Sequence, residues 1–447
     1  MDFNNTGDIF YRMRLALSSL SIYRNLLDDN AIKTFTALAE SLCSRPDPIT
    51  FLNLYNELFF SLASSNTTLA GRVIDLIIYD DNPFSRRCAT GQDWKALEGA
   101  VRNDLRALQL VAQVPSSAIK ERAAALCKLD KALLDELPEL TYSNNNLPEG
   151  TTSGPQEKLK QALLSGSSWE ECLDELARFY REVGAGIFAH YRAFIWERRG
   201  ESGRLKGIAF PDPVRLSDLY GYEEERAQVL ENTLQFLKGY PANNVLLYGD
   251  RGTGKSSTVK ALVNEYHSQG LRIIEVPKEY LGDFPEIIRI LRGRRQKFII
   301  FVDDLTFADS TENYTALKAV LEGGLESRPD NALIYATSNR RHLVKEEFSD
   351  RPDLEGEEIR KNDTVQEKLS LADRFGITVI FTAPDQEKYL KIISALAQQR
   401  GILVPQDLLH REALRWAERH NGRSPRTAHQ FIDWFEGHLA LQKQASS

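Results

Sequence analysis

The spacing of apolar residues divides the chain into a helical half, an alternating region and a helical end. Apolar side chains recur three and four positions apart in Ile9–Leu17, Phe51–Phe59 and Leu97–Leu108, which predicts amphipathic helices. Short polar breaks separate them. After residue 155 we predict two further helices, the second from Trp169 to about Arg199. The pattern therefore predicts an all-α N-terminal domain over residues 1–142, with a helical continuation over residues 156–205.

The middle of the chain alternates helix-length segments with short apolar runs. Each run has five residues, is apolar on both faces, and is separated from the next by enough chain for a crossover helix. Such runs are typical of parallel strands that helices cover on both sides. We predict a five-stranded parallel sheet in an α/β domain over residues 206–383, with strands at Asn244–Tyr248, Arg272–Val276, Phe298–Val302, Ala332–Ala336 and Ile377–Phe381.

Two segments differ from their surroundings in composition. Residues 143–155 are rich in Asn, Gly, Ser, Thr and Pro, and we interpret them as an exposed loop or linker, because they offer little apolar surface to bury. Residues Glu346–Asp363 carry eight acids against three bases. We interpret this second segment as an insertion. Its composition is equally consistent with a loop on the substrate side and with a simple solvated surface. From residue 384 to residue 447 the pattern is helical again.

A glycine-rich segment follows the first predicted strand. The pattern G-x-x-x-x-G-K-[ST] is matched by Gly249, Asp250, Arg251, Gly252, Thr253, Gly254, Lys255 and Ser256, and Ser257 begins the next predicted helix. In such a loop, backbone N–H groups and the positive end of the helix dipole face bound phosphates. We expect Lys255 to contact the β- and γ-phosphates and Ser256 to coordinate Mg²⁺. The segment therefore predicts a nucleotide-binding loop.

Polar residues end two later strands. Asp303 and Asp304 directly follow the run Phe298–Val302, and Asn339 follows the run Ala332–Ala336. Two carboxylates at the end of a buried strand are costly unless a cation or a reaction uses them. We expect Asp303 to hold hydrated Mg²⁺, Asp304 to orient or deprotonate the attacking water, and Asn339 to position that water.

These motifs, in this order, resemble those of the AAA+ ATPases from about Leu216 to the end of the chain. The segment Leu219–Glu223 resembles the one that packs on adenine in that superfamily, which implies that Leu219 and Tyr220 contact the base. Residues Ser370–Gly376 resemble the box that carries the arginine finger in the Holliday-junction branch-migration ATPase. The resemblance implies that Arg374 is the finger, because Ala372 occupies the place where relatives often carry another arginine.

The C-terminal helices complete the resemblance. Gly422–Ala428 resembles the second sensor on a small helical lid, which implies that residues 384–447 form the lid and that Arg426 contacts the γ-phosphate. More narrowly, the arrangement is similar to the bacterial family called domain of unknown function 815, with its helical N-terminal half included. The resemblance to this family implies the AAA+ fold and the binding of ATP with Mg²⁺, but it implies no particular substrate. The absence of an N-K-x-D motif favours ATP over GTP.

One departure from the AAA+ pattern concerns the residue after the magnesium-binding aspartate. Most members have Glu there, whereas this chain has Asp304, whose carboxylate lies about 1.5 Å nearer the backbone. Near-attack geometry is sensitive to displacements of that size. We therefore expect slow hydrolysis, or help from another acid. A finger supplied by a neighbouring subunit implies a homo-oligomer.

The amino-acid composition disfavours some classes of binding partner but does not identify a partner. The chain has 447 residues, 27% of them charged, and a net charge of −7, which disfavours a nucleic-acid binder. A basic cluster, Arg289, Arg292, Arg294, Arg295 and Lys297, suggests a solvated helix end more than a polyanion site. Four scattered cysteines and seven scattered histidines predict reduced thiols, a cytoplasmic protein and no metal held by His or Cys. No apolar run is long enough to span a membrane.

Three functions remain open from the sequence. The first is a motor or chaperone that remodels a protein partner captured by the helical half. The second is a nucleic-acid-associated loader or branch-migration ATPase, which the acidic net charge and the lack of a winged-helix pattern after the lid disfavour. The third is a slow nucleotide-dependent switch.

Overall fold

The structure is a computed structural model of two compact units, Met1–His190 and Tyr191–Ser447. It describes residues 6–44, 46–140, 154–166, 168–200, 202–305, 321, 329–339, 374–420 and 422–445. Most of the predicted linker, the acidic segment Glu346–Asp363 and the start of the arginine box lie outside the described residues.

The described residues of the first unit contain helices and no strand, as the apolar spacing predicts. Short 3₁₀ turns at Arg24–Asp28, Lys95–Leu97 and Trp169–Cys172 join some of the helices. The α-helices are α1 (Thr6–Ser18), α2 (Asn30–Ser41), α3 (Pro48–Ser64), α4 (Leu69–Ile78), α5 (Pro83–Thr90), α6 (Glu98–Ala112), α7 (Ser116–Cys127), α8 (Lys131–Asp135), α9 (Pro155–Ser165), α10 (Leu173–Glu182) and α11 (Ile187–His190).

A buried carboxylate connects distant parts of this helical unit. Asp104 of α6 is fully buried and accepts hydrogen bonds from the backbone N–H groups of Ser21, Ile22 and Tyr23, at 2.7–3.1 Å. These N–H groups belong to the turn after α1, where no helix partner satisfies them. Asp104 therefore fixes the turn that sends the chain from α1 towards α2.

The second unit is built on one seven-stranded sheet. Its strands are β1 (Ala193–Arg199), β2 (Ser202–Gly207), β3 (Val245–Gly249), β4 (Leu271–Glu275), β5 (Lys297–Val302), β6 (Ala332–Asn339) and β7 (Ile377–Phe381). The order across the sheet is β2-β1-β4-β5-β6-β3-β7. All neighbouring pairs are parallel except β1 and β2, which form an antiparallel hairpin.

All five predicted strands are present. The prediction of a five-stranded parallel sheet was wrong, because the sheet contains two further strands, β1 and β2, which form an antiparallel hairpin. The predicted helix up to Arg199 ends early, because Gly184 and Gly186 adopt positive φ values of 109° and 61°. Beyond them Phe194 and Trp196 are fully buried in β1. The boundary between the two units falls between residues 190 and 191, before this hairpin, whereas the sequence pattern suggests a division after residue 205.

Helices cover the sheet and form a separate C-terminal cluster. The covering helices are α12 (Glu223–Leu237), α13 (Lys255–Tyr266) and α14 (Phe284–Leu291). The cluster consists of α15 (Gln386–Gln399), α16 (Gln406–Arg419) and α17 (Pro425–Ala445), which share an apolar core of their own. We refer to these three helices as the lid, because they lie in the segment for which the resemblance implies one. None of the described helices is long and apolar enough to cross a membrane.

Candidate functional site

The glycine-rich loop links the end of β3 to the start of α13. Gly249 has a φ of 139°, and a Cβ atom there would lie 2.0 Å from the carbonyl oxygen of Phe381 on β7. Gly252 and Gly254 also have positive φ values, 75° and 92°. Only glycine adopts these conformations without strain, so the loop can curl over the N-terminus of α13. The loop has the backbone form that a phosphate cradle requires.

Neighbouring segments hold the loop in place. The N–H of Asp250 donates to the carbonyl of Phe381 at 2.9 Å, and its carboxylate accepts from the N–H of Ala383 at 2.7 Å. From the lid, the N–H of Arg426 donates to the carbonyl of Gly252 at 3.1 Å. The loop is therefore bonded both to the end of β7 and to α17, which places the lid directly against the glycine-rich loop.

Lys255, the first residue of α13, is buried and folds back over the loop. Its Nζ donates to the carbonyl oxygens of Gly249 and Asp250 at 2.9 and 2.7 Å, and to Oδ1 of Asn339 at 3.2 Å. Burial lowers the pKa of Lys255 to about 8, against the raising effect of the nearby carboxylates. Three hydrogen bonds thus hold the ammonium group between the loop and the end of β6.

Ser256 and Asp303 are hydrogen-bonded to each other. Oγ of Ser256 donates to Oδ1 of Asp303 at 2.6 Å, and Oγ1 of Thr337 donates to the same oxygen at 2.6 Å. A hydroxyl and a carboxylate offer hard oxygen donors that suit Mg²⁺, which keeps several of its waters and takes few protein ligands. This donor set therefore fits the magnesium ion expected from the sequence.

Each carboxylate oxygen of Asp304 has a partner side chain. Its Oδ1 accepts from Nδ2 of Asn339 at 2.5 Å, and Nζ of Lys278 lies 3.7 Å from its Oδ2. Its backbone has a φ of 53°, and its N–H donates to Oγ1 of Thr337 at 2.8 Å. A positive φ in a non-glycine residue marks a conformation that its surroundings impose. Thr337, Asn339 and Lys278 together fix where this carboxylate lies.

These side chains surround one cavity of about 660 Å³ at the carboxyl edge of the sheet. Gly249 and Asp250 do not line it, but their carbonyl oxygens accept hydrogen bonds from Lys255, which does. Tyr220 lines a small adjoining cavity that shares Leu219 with the first. The large cavity is lined by Leu219, Arg251, Gly252, Thr253, Gly254, Lys255, Ser256, Ser257, Asp303, Asp304, Thr337, Asn339, Pro425, Arg426, His429 and Gln430.

Arg374 does not line this cavity. It lies just before β7, at the amino end of the strand, whereas the glycine-rich loop contacts Phe381 at the carboxyl end. The strand Ile377–Phe381 alone separates the two ends by about 13 Å. Arg374 is thus at the edge of the sheet opposite to the cavity of its own chain.

The basic cluster also lies away from the cavity. It occupies the end of α14 and the start of β5, at the amino edge of the sheet. Arg294 donates from Nε to the carbonyl of Ile290, and Lys297 donates to the carbonyl of Asp330 and lies over the ring of Phe236. These local contacts agree with the interpretation as a helix end.

Sequence reasoning missed Lys278, which pairs with Asp304, and four residues that line the cavity: Thr337, Pro425, His429 and Gln430. Thr337 lies two positions before Asn339, on the same face of β6, so the two-residue period of a strand could have identified it. Lys278 follows the carboxyl end of β4, which neighbours β5. His429 and Gln430 lie one turn after Arg426 on α17, where helical periodicity could have indicated them.

Comparisons with known proteins identify a family and several more distant relatives. The model of a family described as "Protein of unknown function (DUF815)" matches residues 189–439, more than half of the chain. A 26S proteasome regulatory subunit homologue of Methanocaldococcus jannaschii is 26% identical over 240 residues, 46% of this chain and 63% of that protein. A proteasome-activating nucleotidase of Methanococcus vannielii is 27% identical over 179 residues, 36% of this chain and 39% of that protein.

The chain thus spans less than two thirds of these curated relatives. Among solved structures, the RuvB Holliday junction branch migration motor of Thermotoga maritima aligns with 52% of this chain and 67% of its own. That alignment has 19% identity and a TM-score of 0.36.

Proposed function

The chain belongs to the DUF815 family, within the AAA+ superfamily, and from that membership we propose that it binds MgATP and hydrolyses it to ADP and phosphate. One observation supports this most: the glycine-rich loop, two acids and Asn339, which are far apart in sequence, line a single cavity. The cavity combines a cradle for phosphates with a carboxylate that can accept a proton from water.

The glycine-rich loop would supply the main contacts with the phosphates of ATP. The N–H groups at the start of α13 would face the phosphates, and Lys255 would exchange the carbonyls of Gly249 and Asp250 for β- and γ-phosphate oxygens. Ser256 and Asp303 would hold Mg²⁺, which neutralises charge on the phosphates when bound. Leu219 and Tyr220 would contact the nucleoside end.

Hydrolysis requires a water to attack the γ-phosphorus in line with the leaving ADP. Asp304 would accept the proton of that water, and Asn339, hydrogen-bonded to Asp304, would orient both. Arg426 lines the cavity on the lid side and would stabilise charge on the γ-phosphate. The contacts of Asp304 with Asn339 and Lys278 occupy both carboxylate oxygens, which supports slow turnover.

The placement of Arg374 supports an oligomer. It lies at the amino edge of the sheet and does not line the cavity of its own chain, so a role as arginine finger requires the cavity of a neighbouring subunit. We therefore propose a homo-oligomer in which Arg374 completes the site next to it. The free energy of ATP hydrolysis would drive the remodelling of a protein partner bound by the helical unit. The proteasome-related names of the curated relatives support a protein partner over a nucleic acid.

Phosphate release from MgATP, measured for the full chain and for Asp304→Asn, tests the proposal. Wild type should hydrolyse ATP, and the variant should bind ATP normally yet lose at least about 100-fold in rate, as expected for removal of a general base. Arg374→Ala should likewise bind ATP and lose hydrolysis, and mixing the two variants should restore part of the activity. Equal rates for wild type and Asp304→Asn would contradict the assignment, and a failure of mixing would contradict the shared site.

A further inference from the structure

Thr337 of β6 is hydrogen-bonded to both acids that follow β5. Its Oγ1 donates to Oδ1 of Asp303 at 2.6 Å and accepts from the N–H of Asp304 at 2.8 Å. A threonine hydroxyl has one proton to donate and has lone pairs with which to accept, so both kinds of bond are in use here. One hydroxyl therefore joins the side chain of the proposed magnesium ligand to the backbone of the proposed base.

The position of this hydroxyl follows from the place where the sheet pairing stops. Strands β5 and β6 are paired in parallel as far as Val302 and Ala336. Directly beyond this pair, the carbonyl of Thr337 accepts from the N–H of Leu305 at 2.7 Å, while its side chain accepts from the N–H of Asp304. The turn that carries the two acids is thus attached to β6 by the backbone and the side chain of a single residue.

The backbone of Asp304 has a conformation that needs such support. Its φ of 53° lies in the left-handed region, which is unfavourable for a residue that carries a Cβ atom. The N–H bonded to Thr337 belongs to this same residue, so the hydrogen bond opposes relaxation to a more favourable φ. Because the backbone of Asp304 sets the direction of its side chain, Thr337 influences where the carboxylate lies in the cavity.

The next residue of β6 offers a comparison within the same turn. Oγ of Ser338 donates to the carbonyl of Leu305 at 2.8 Å, and Ser338 is fully buried. Successive side chains leave a strand on opposite faces, so Ser338 and Thr337 contact different parts of the turn. Thr337 is also buried, but it lines the nucleotide cavity. Two buried hydroxyls thus hold one turn, and that of Thr337 is bonded to both acids.

We propose that Thr337 is a positioning residue of the ATPase site, which holds Asp304 in its left-handed conformation and fixes it relative to Asp303. The inference deepens the proposed hydrolysis of ATP and rests on it. Thr337 acts through Asp304, the residue that would accept the proton of water. Loss of its hydroxyl consequently lowers the rate of hydrolysis and leaves the affinity for metal-free ATP unchanged.

Phosphate release and calorimetric titration of the full chain with ATP test this role. Thr337→Val keeps the branched shape and loses the hydroxyl. It should lower kcat about 10- to 100-fold, the range for a misplacement of about 1 Å at a reacting group, without changing the Kd of ATP in EDTA. Thr337→Ser keeps the hydroxyl and should recover most of the rate. Thr337→Ala removes the same hydroxyl with a smaller side chain, and it should repeat the result of Thr337→Val if the hydroxyl, and not the fit of valine, is responsible.

The matched control is Ser338→Ala, which removes the neighbouring buried hydroxyl from the same turn. It should lower the melting temperature, because the carbonyl of Leu305 loses its donor, and it should leave kcat unchanged. In the Asp304→Asn background, Thr337→Val should have little further effect on the rate, because the base that it positions is already absent.

Three results would each overturn the proposal: an unchanged kcat in Thr337→Val, an equal loss of kcat in Ser338→Ala, or an undiminished effect of Thr337→Val in the Asp304→Asn background. The first would show that the hydroxyl has no part in hydrolysis, and the second that any support of the turn is sufficient. The third would show that Thr337 does not act through Asp304. Failure of the proposed function is a different outcome, in which the wild-type chain itself does not hydrolyse ATP.

Discussion

Ser256 and Asp303, 47 positions apart in the sequence, share a hydrogen bond of 2.6 Å between Oγ and Oδ1. The bond joins the start of α13 to the end of β5 and brings together the two oxygens proposed to hold Mg²⁺. Thr337 donates to the same carboxylate oxygen, which fixes the orientation of Asp303 from a third element. The proposed magnesium ligands are thus already positioned by hydrogen bonds within the protein.

Asp303→Asn should separate nucleotide binding from magnesium use. The amide keeps the shape of the side chain but removes the charge that favours the cation. ATP affinity measured in EDTA should match wild type, whereas hydrolysis with Mg²⁺ should fall at least about 100-fold, since bound metal supplies several kcal/mol of transition-state stabilisation. Asp407→Asn, the same substitution at an exposed residue of α16 outside the cavity, is the control. A wild-type rate in Asp303→Asn would show that the metal is held elsewhere.

Lys278 restrains the carboxylate that is proposed to activate water. Its ammonium lies 3.7 Å from Oδ2 of Asp304, and both side chains are partly exposed. The positive charge competes with the attacking water for that oxygen. Lys278→Met should therefore raise kcat about two- to fivefold, the range of an exposed ion pair, and leave the Kd of ATP unchanged. Lys391→Met, which removes a pairing with Glu387, is the control, and a lower kcat in Lys278→Met would assign the lysine a helping role.

The hairpin β1–β2 should decide which fragment folds. A fragment of residues 191–447 keeps Phe194 and Trp196 in the sheet, whereas one of residues 206–447 removes both buried rings and leaves β4 with an open edge. Loss of the two rings costs more than about 5 kcal/mol, comparable to the stability of a whole domain. The longer fragment should melt cooperatively and bind ATP, and the shorter one should not. Equal melting temperatures would show that the hairpin is dispensable.

The sequence predicts the parts of this fold whose signals are local. The glycine-rich loop and the five apolar runs that form β3 to β7 have clear patterns, and so do the helices with apolar residues three and four apart; of these strands, β7 alternates buried and exposed residues because it lies at the edge of the sheet. The hairpin escaped prediction because Ala193–Arg199 has one apolar half and one charged half, which helical spacing accommodates equally well. The pairing of this segment with β2 and with β4 makes it a strand, and Trp196 is buried there with a hydrogen bond to Asp283, 87 residues away.

The residues of the candidate site also fall into two groups, those that local sequence patterns predict and those that they do not. Lys255, Ser256, Asp303 and Asn339 follow from motifs and from the rule that parallel strands end at one edge. Lys278 does not, because its place beside Asp304 depends on how the 3₁₀ turn Lys278–Asp283 packs after β4. Such contacts are set by tertiary structure, and no local pattern in the sequence specifies them.

Calorimetric titration of MgATP into the wild-type chain and into Lys255→Ala examines the nucleotide site itself. Wild type should bind one ATP per chain, and the variant should lose at least about tenfold in affinity, because a charged hydrogen-bond donor to phosphate is removed. Lys260→Ala, on the same helix but outside the nucleotide cavity, should bind as wild type does. Tight binding by Lys255→Ala, or no binding by the wild-type chain, would contradict the assignment of this cavity to ATP.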